Sequence, residues 1–246
     1  MSFWELFKAN LKVVYRNRAG FFWTVVMPAG IYMALSVLPI GQMLGNQIEY
    51  SSYLLPGLIA LTIMQGGIYT LAYWTIDLKA RGVIKRLQVT PIRRGDLILS
   101  LLLSRSIVML AQMLLLTLIG VLFFEATVVG NIWMLVLLTV LGGFIFLPLG
   151  LLIATFADSY EAAAPITAAV GLPFTFLGNV FYPTDSLPMA LQKIAEFLPI
   201  TYLAEGFRAI YLGEPYSQYL YRDIGILIIF AAAIITITAW RFKIEE

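Results

Sequence analysis

Asp158 and Glu161, set between two apolar stretches, are the nearest this sequence comes to a catalytic pair. They lie in a short loop and are read as loop charges, not as an acid–base site. The 246 residues contain no histidine and no cysteine. That removes the commonest general base, the commonest metal ligand, disulfides and thiolate chemistry. No Gly-x-Ser-x-Gly elbow occurs, and none of the six lysines is followed by Ser or Thr, so no phosphate-binding loop is present. No catalytic residue, metal or cofactor is expected on this chain. If ATP drives the protein, another chain binds it.

Composition sets the class. The chain is 61% hydrophobic and 12% charged, against about 25% charged in a soluble domain, so it cannot cover its surface in water. A net charge of +2 is too small for a phosphate-binding surface, and no nucleic-acid partner is expected. Uncharged runs cover 19–48, 50–76, 106–124, 126–157, 162–184 and 224–240. A spanning helix needs about 20 apolar residues, so each run holds one. Pro39, Gly41, Asn46 and Gln47, and the loop around Gly130, argue against splitting the longest runs in two. The expected fold is an all-α polytopic membrane protein in one domain. Its six transmembrane helices fall at about 20–39, 54–76, 99–123, 132–156, 162–182 and 223–241.

Twelve lysines and arginines flank these spans on one side: Lys8, Lys12, Arg16, Arg18, Lys79, Arg81, Lys85, Arg86, Arg93, Arg94, Arg241 and Lys243. The other side holds Lys193, Arg208 and Arg222. The positive-inside rule therefore puts both termini in the cytoplasm of a multi-pass plasma-membrane protein. The lead before the first span and that span's length are not those of a signal peptide. No repeat relates the two halves.

Three segments are more than spans. Residues 3–18 are expected to hold an interfacial helix, amphipathic over 3–16. Phe3, Leu6, Phe7, Leu11 and Val14 fall on one side, and Lys8, Lys12 and Arg16 opposite, facing membrane lipid. Residues 77–96 place Leu78, Val83, Ile84 and Leu87 against Lys79, Arg81, Lys85 and Arg86, before Thr90-Pro91 stops the helix. Such a short helix suits docking in a groove of a cytosolic partner; the plainer reading is a positive-inside loop. Residues 183–222 form a long outer connection. In it Leu187, Leu191, Ile194, Ala195 and Leu198 oppose Gln192, Lys193 and Glu196, bracketed by Pro188 and Pro199. This outer re-entrant segment must be covered by protein or face a water-filled cavity. Span 5 carries Thr167, Thr175 and Asn179 among Pro165, Gly171, Pro173 and Gly178, and span 2 carries Thr62 and Gln65. These polar groups suit either a substrate path or helix packing.

Taken together the motifs resemble the permeases of type-2 ABC exporters, over the whole chain. The match is carried by Arg16 and Arg18 after the N-terminal helix and by Arg81-Gly82-x-x-Lys85-Arg86-Leu87-x-x-Thr90-Pro91. Outside, it is carried by Phe181-Tyr182-Pro183, Leu187-Pro188, Leu198-Pro199-Ile200-Thr201 and Glu205-Gly206-x-Arg208. The chain departs at Lys79-Ala80-Arg81, where family members often have an acidic pair before the glycine. The closest resemblance is to small drug, peptide and lipid exporter permeases, including daunorubicin-resistance permeases. It implies that Lys79, Arg81, Gly82, Lys85, Arg86, Leu87, Thr90 and Pro91 meet a separate nucleotide-binding ATPase subunit, which holds ATP and Mg. It implies an outer gate at Phe181, Tyr182, Pro183, Leu187, Pro188 and Pro199. Two copies would form a homodimer with spans 2 and 5 lining the path. Bare, apolar spans favour a lipophilic or amphipathic cargo, such as a drug, peptide antibiotic, lipid or glycolipid. The alternative is an ion-coupled secondary transporter or channel, a class that usually carries ionisable residues inside its spans.

Overall fold

The computed structural model describes residues 3–16, 22–37, 49–83, 94–213 and 216–241, and every regular element among them is helical. The first, α1 (Phe3–Arg16), is the expected amphipathic helix. Leu6 is buried and Asn10 Nδ2 donates to Ser100 Oγ at 3.3 Å, while Lys8 and Lys12 stay exposed. A π-helical turn, Phe22–Val26, leads into α2 (Met27–Ser36), whose Pro28 sits in the first turn where no N–H is needed. Next come α3 (Tyr50–Ala80), α4 (Arg94–Phe124), α5 (Ile132–Ala154) and α6 (Tyr160–Leu177). Asn131 and Ser159 cap α5 and α6 through side-chain oxygens that accept from Trp133 N and Ala162 N. The outer connection holds α7 (Met189–Ala195) and α8 (Pro199–Tyr211), and α9 (Leu220–Arg241) closes the chain.

Four helices among the described residues are long and apolar enough to cross a membrane: Tyr50–Ala80, Leu99–Phe124, Ile132–Ala154 and Ser217–Arg241. They stand where spans 2, 3, 4 and 6 are expected. Helices α2 and α6 stand at the places of spans 1 and 5. Span 2 is longer than its uncharged run, because the charges in its last turn are paired. Arg81 Nε donates to Asp77 Oδ1 at 2.9 Å, and Lys79 Nζ donates to the Ala154 carbonyl at 2.8 Å.

Segments expected on one side of the membrane meet at one end of the bundle. Lys79 reaches Ala154 and Asp158, and the Arg241 guanidinium lies over the Phe156 ring. At the other end Val129 N and Gly130 N both donate to the Ile210 carbonyl, and Tyr50 Oη donates to the Phe181 carbonyl. Helices α3 and α5 therefore run the same way and α6 the opposite way.

The core sits on α3, which is mostly buried, whereas Leu99–Phe124 and Ser217–Arg241 keep most of their surface open. A π-helical turn, Gly66–Thr70, interrupts α3 where it crosses α5. A Cβ on Gly150 would stand 2.4 Å from the Gly67 carbonyl oxygen, and one on Gly67 2.5 Å from Phe146 Cβ. Small residues let two backbones touch here, the usual device of helix packing in lipid. Gly150→Ala should therefore cost about 1–3 kcal/mol, as overpacking does. Gly30→Ala, with nothing within 4 Å of the new Cβ, should be neutral or slightly stabilising. Melting temperatures of the two variants in detergent check this contrast.

Candidate functional site

The end of the bundle expected to face outside is built on α8. Pro199 starts it, and Ile200, Leu203, Ala204, Phe207 and Tyr211 recur at helical spacing, all buried. The helix is buried in the protein along most of its length instead of lying on its surface. Burial of that face carries Arg208 inside, 0% exposed. Its guanidinium carbon lies 3.8 Å from the centroid of the Tyr53 ring. Nη2 donates to the Val180 carbonyl at 3.1 Å, and Nε donates to the Tyr53 carbonyl at 3.4 Å. Gly57, one turn after Tyr53, admits the Val180 carbonyl; a Cβ there would be 2.2 Å from its oxygen.

The network continues outward. Tyr53 Oη donates to Asn179 Oδ1 at 2.7 Å, and Asn179 Nδ2 donates to Glu205 Oε1 at 3.0 Å. Glu205 Oε2 is 3.7 Å from Arg222 Nη2, which is 2.9 Å from Asp223 Oδ1. Asn179 holds a left-handed φ of 56°, a conformation that asparagine tolerates better than most residues. Burial, and then the neighbouring Asp223 carboxylate, push the Glu205 carboxyl above its ordinary value.

The residues expected at an outer gate lie at this end of the bundle. Phe181, Tyr182, Pro183 and Leu187 are half-buried, Tyr182 Oη donates to the Phe176 carbonyl, Pro188 precedes α7 and Pro199 is buried at the start of α8. The helix expected over 187–198 is shorter, Met189–Ala195, because Pro199 cannot continue it and begins a second helix instead. Ile194 points outward, while Gln192 is half-buried and its Nε2 donates to the Leu187 carbonyl at 2.8 Å.

The polar residues of spans 2 and 5 are largely turned on their own helices. Thr62 Oγ1 donates to the Ile59 carbonyl at 2.8 Å, Thr167 Oγ1 to Ala163 at 2.9 Å and Thr175 Oγ1 to Gly171 at 2.8 Å. Thr62 and Thr167 are buried, Asn179 belongs to the outer network, and Gln65 is half-buried. Beside Gln65 runs a row that sequence reasoning missed. Tyr69 and Tyr73 stack with centroids 6.4 Å apart, Tyr160 follows 5.8 Å from Tyr73, and the Tyr73 and Thr167 hydroxyls are 3.1 Å apart. Gly171 makes room for the Tyr69 hydroxyl, which a Cβ would meet at 2.1 Å. The signal was the four-residue spacing of Gln65, Tyr69, Tyr73 and Asp77. Stacked phenols with hydroxyls along one helix face present both apolar ring surface and hydrogen-bonding groups.

At the inner end, the apolar face expected from Leu78 to Leu87 is not one helix. Helix α3 ends at Ala80, and Gly82 N donates to the Lys79 carbonyl at 2.9 Å with φ at +64°. This is a C-terminal glycine cap, which a residue with a side chain adopts only at a cost. Lys79 also lies 3.5 Å from Asp158 Oδ1, so Lys79 and Arg81 both have partners within the chain. Lys85, Arg86, Leu87, Thr90 and Pro91 lie outside the described residues.

The family model described as ABC-2 type transporter matches residues 1–212. The chain is 28% identical over 215 residues to the inner membrane transport permease YadH of Escherichia coli, covering 85% of this chain and 83% of that protein. It is 27% identical over 230 residues to nodulation protein J of Rhizobium leguminosarum bv. viciae, covering 91% and 83%.

The Glu205 carboxyl gives the outer network a pH signature. Its folded value lies above the ordinary 4.5, so the folded protein holds this proton to higher pH than the unfolded chain does. Stability from the group is full below the unfolded value and is lost as pH rises toward the folded one. Wild-type melting temperature should therefore fall relative to Glu205→Gln as pH rises from the ordinary glutamate range toward the raised folded value. A difference that stays constant with pH contradicts the assignment.

Proposed function

Because the chain belongs to the ABC-2 type transporter family, as a transport permease, we propose that it is the membrane subunit of an ATP-driven exporter. Two copies work with two copies of a separate ATPase, which binds ATP and Mg. Each copy crosses the inner membrane six times, with both termini cytoplasmic. The excess of cations on one side of the spans and the similarity to an inner membrane permease support this placement. The cargo is lipophilic or amphipathic, a drug, peptide antibiotic, lipid or glycolipid.

The observation that carries this reading is the burial of helix α8, read here as a re-entrant segment, with its own Arg208 fully inside. A segment that enters the bundle from one end and returns to the same end closes a path without spanning it. The tyrosine row beside α6 then offers a surface for an amphipathic cargo, and the Gly82 turn breaks the helix where a docking segment leaves the membrane. Residues 79–91 are the contact with the ATPase. Lys79 and Arg81 anchor the start of that segment to Asp158 and Asp77, and Lys85, Arg86 and Leu87 make the contact itself.

The test replaces Lys85 and Arg86 by alanine. Insertion is confirmed first, by labelling a cysteine placed at the exposed Lys193 with an impermeant maleimide from outside. The membrane domain should keep its melting temperature, since exposed substitutions usually stay within about 0.5 kcal/mol. Copurification of the ATPase and transport should both fall, by the equivalent of about 2–5 kcal/mol of lost charge-assisted contact. Normal association and transport in the inserted variant would refute the coupling role.

A further inference from the structure

A groove of about 240 Å³, open on one side, runs between α1, α4 and α5. Phe3, Trp4 and Phe7 line it from α1, Ile107 and Leu110 from α4, and Phe144 from α5. The hydroxyl on its wall, Ser106, donates to the Leu102 carbonyl at 2.9 Å. The groove therefore has almost nothing polar to offer, and its occupant must be hydrocarbon. Its volume exceeds the apolar cavity of about 150 Å³ that takes up benzene. It is far too small for a helix about 10 Å across. Trp4, 64% exposed, stands at its open edge.

Charge completes the description of the occupant. Lys8 follows Trp4 by one turn and so stands next to the groove's Trp4 edge, while Lys12, a further turn on, lies farther round toward the face opposite Phe3; both are exposed. Asn10 fastens α1 to Ser100 on its other side. A tail lying against Phe3, Phe7 and Phe144 would bring its headgroup to these ammonium groups. We propose that the groove holds one acyl chain of an anionic phospholipid, with the headgroup beside Lys8 and Lys12. This rests on the interfacial placement of α1 within the permease reading above. The bound lipid acts as a packing element, completing the contact between α1 and spans 3 and 4.

The experiment measures retained lipid. The full chain is reconstituted in phosphatidylcholine vesicles with a minor share of phosphatidylglycerol, re-extracted in mild detergent, and its phospholipid analysed by mass spectrometry. Phosphatidylglycerol should be enriched at least about fivefold over its share, the factor a single cation near an anionic surface is worth. Lys8→Glu with Lys12→Glu should return the ratio to that of the vesicles while leaving total lipid unchanged. Ile107→Trp, which sends an indole into the groove from a half-exposed position, should lose retained lipid. Phe144→Ala widens the groove and should keep it. Equal retention of the two lipids by the wild type, or undiminished lipid in an Ile107→Trp variant of native melting temperature, would overturn the proposal. Retention is read without ATPase or transport, so that failure leaves the permease reading standing. Quenching of Trp4 by iodide as in water, in a variant keeping it as the single tryptophan, overturns the placement of α1 and the groove with it.

Discussion

A guanidinium buried at the outer end of the bundle organises everything around it. Moving such a charge out of water costs several kcal/mol unless its surroundings replace the lost hydration. Here the replacement is the face of Tyr53 and the carbonyls of Tyr53 and Val180. A cation over a desolvated aromatic ring gains about 2 kcal/mol, and each carbonyl adds a charge-assisted hydrogen bond. The arrangement works only if three pieces of chain are held together. Helix α8 supplies the cation, α3 the ring, and the segment after α6 the second carbonyl. Asn179 and Glu205 then extend the join to Arg222 at the start of α9. Even the short loop between α4 and α5 is drawn in, through Val129 and Gly130 on the carbonyl of Ile210.

This constraint shapes the proposed transport cycle. With α3, α8, α9 and the end of α6 joined in one network, that end of the bundle is held together as a unit. In a two-copy transporter the opening would then lie between protomers, along the faces that each copy leaves uncovered. The inner end is held by lighter contacts. Lys79 and Asp158 are joined across an exposed gap, and exposed ion pairs are worth about 0–1 kcal/mol. A pull from a cytosolic partner on residues 79–91 would therefore meet less resistance than a pull on the outer network. Between the two ends, the tyrosine row offers aromatic surface where α6, with its internal Pro165 and Pro173, leaves α3 partly uncovered.

Much of the fold could be read from charge placement alone. The runs without charge located four long helices to within a few residues. Counting spans from one connection to the next grouped Lys79 with Asp158, whose own loop has no basic residue, and Tyr50 with Phe181. What the sequence hid was long-range pairing. Arg208 lies 155 residues from Tyr53, and no local periodicity connects them. Helix α8 went unread because its apolar spacing was absorbed into a connection expected to hold one helix. The threonines were legible as polar, yet their hydroxyls close onto carbonyls three or four residues back, which satisfies them without any ligand. Asn179 was picked out for its polarity, and its place in the outer network follows from a left-handed turn that polarity does not announce.

The claim that the outer end is held by Arg208 on Tyr53 is tested most directly by a double-mutant cycle. Unfolding free energies of the wild type, Tyr53→Leu, Arg208→Met and the double variant are compared in the same bicelles. Residues that act through each other show a coupling energy, and independent ones add. The expected coupling is about 1–2 kcal/mol, because either single change already removes the shared contact. Strictly additive losses would contradict the account, leaving Arg208 as a buried cation whose partner is not Tyr53.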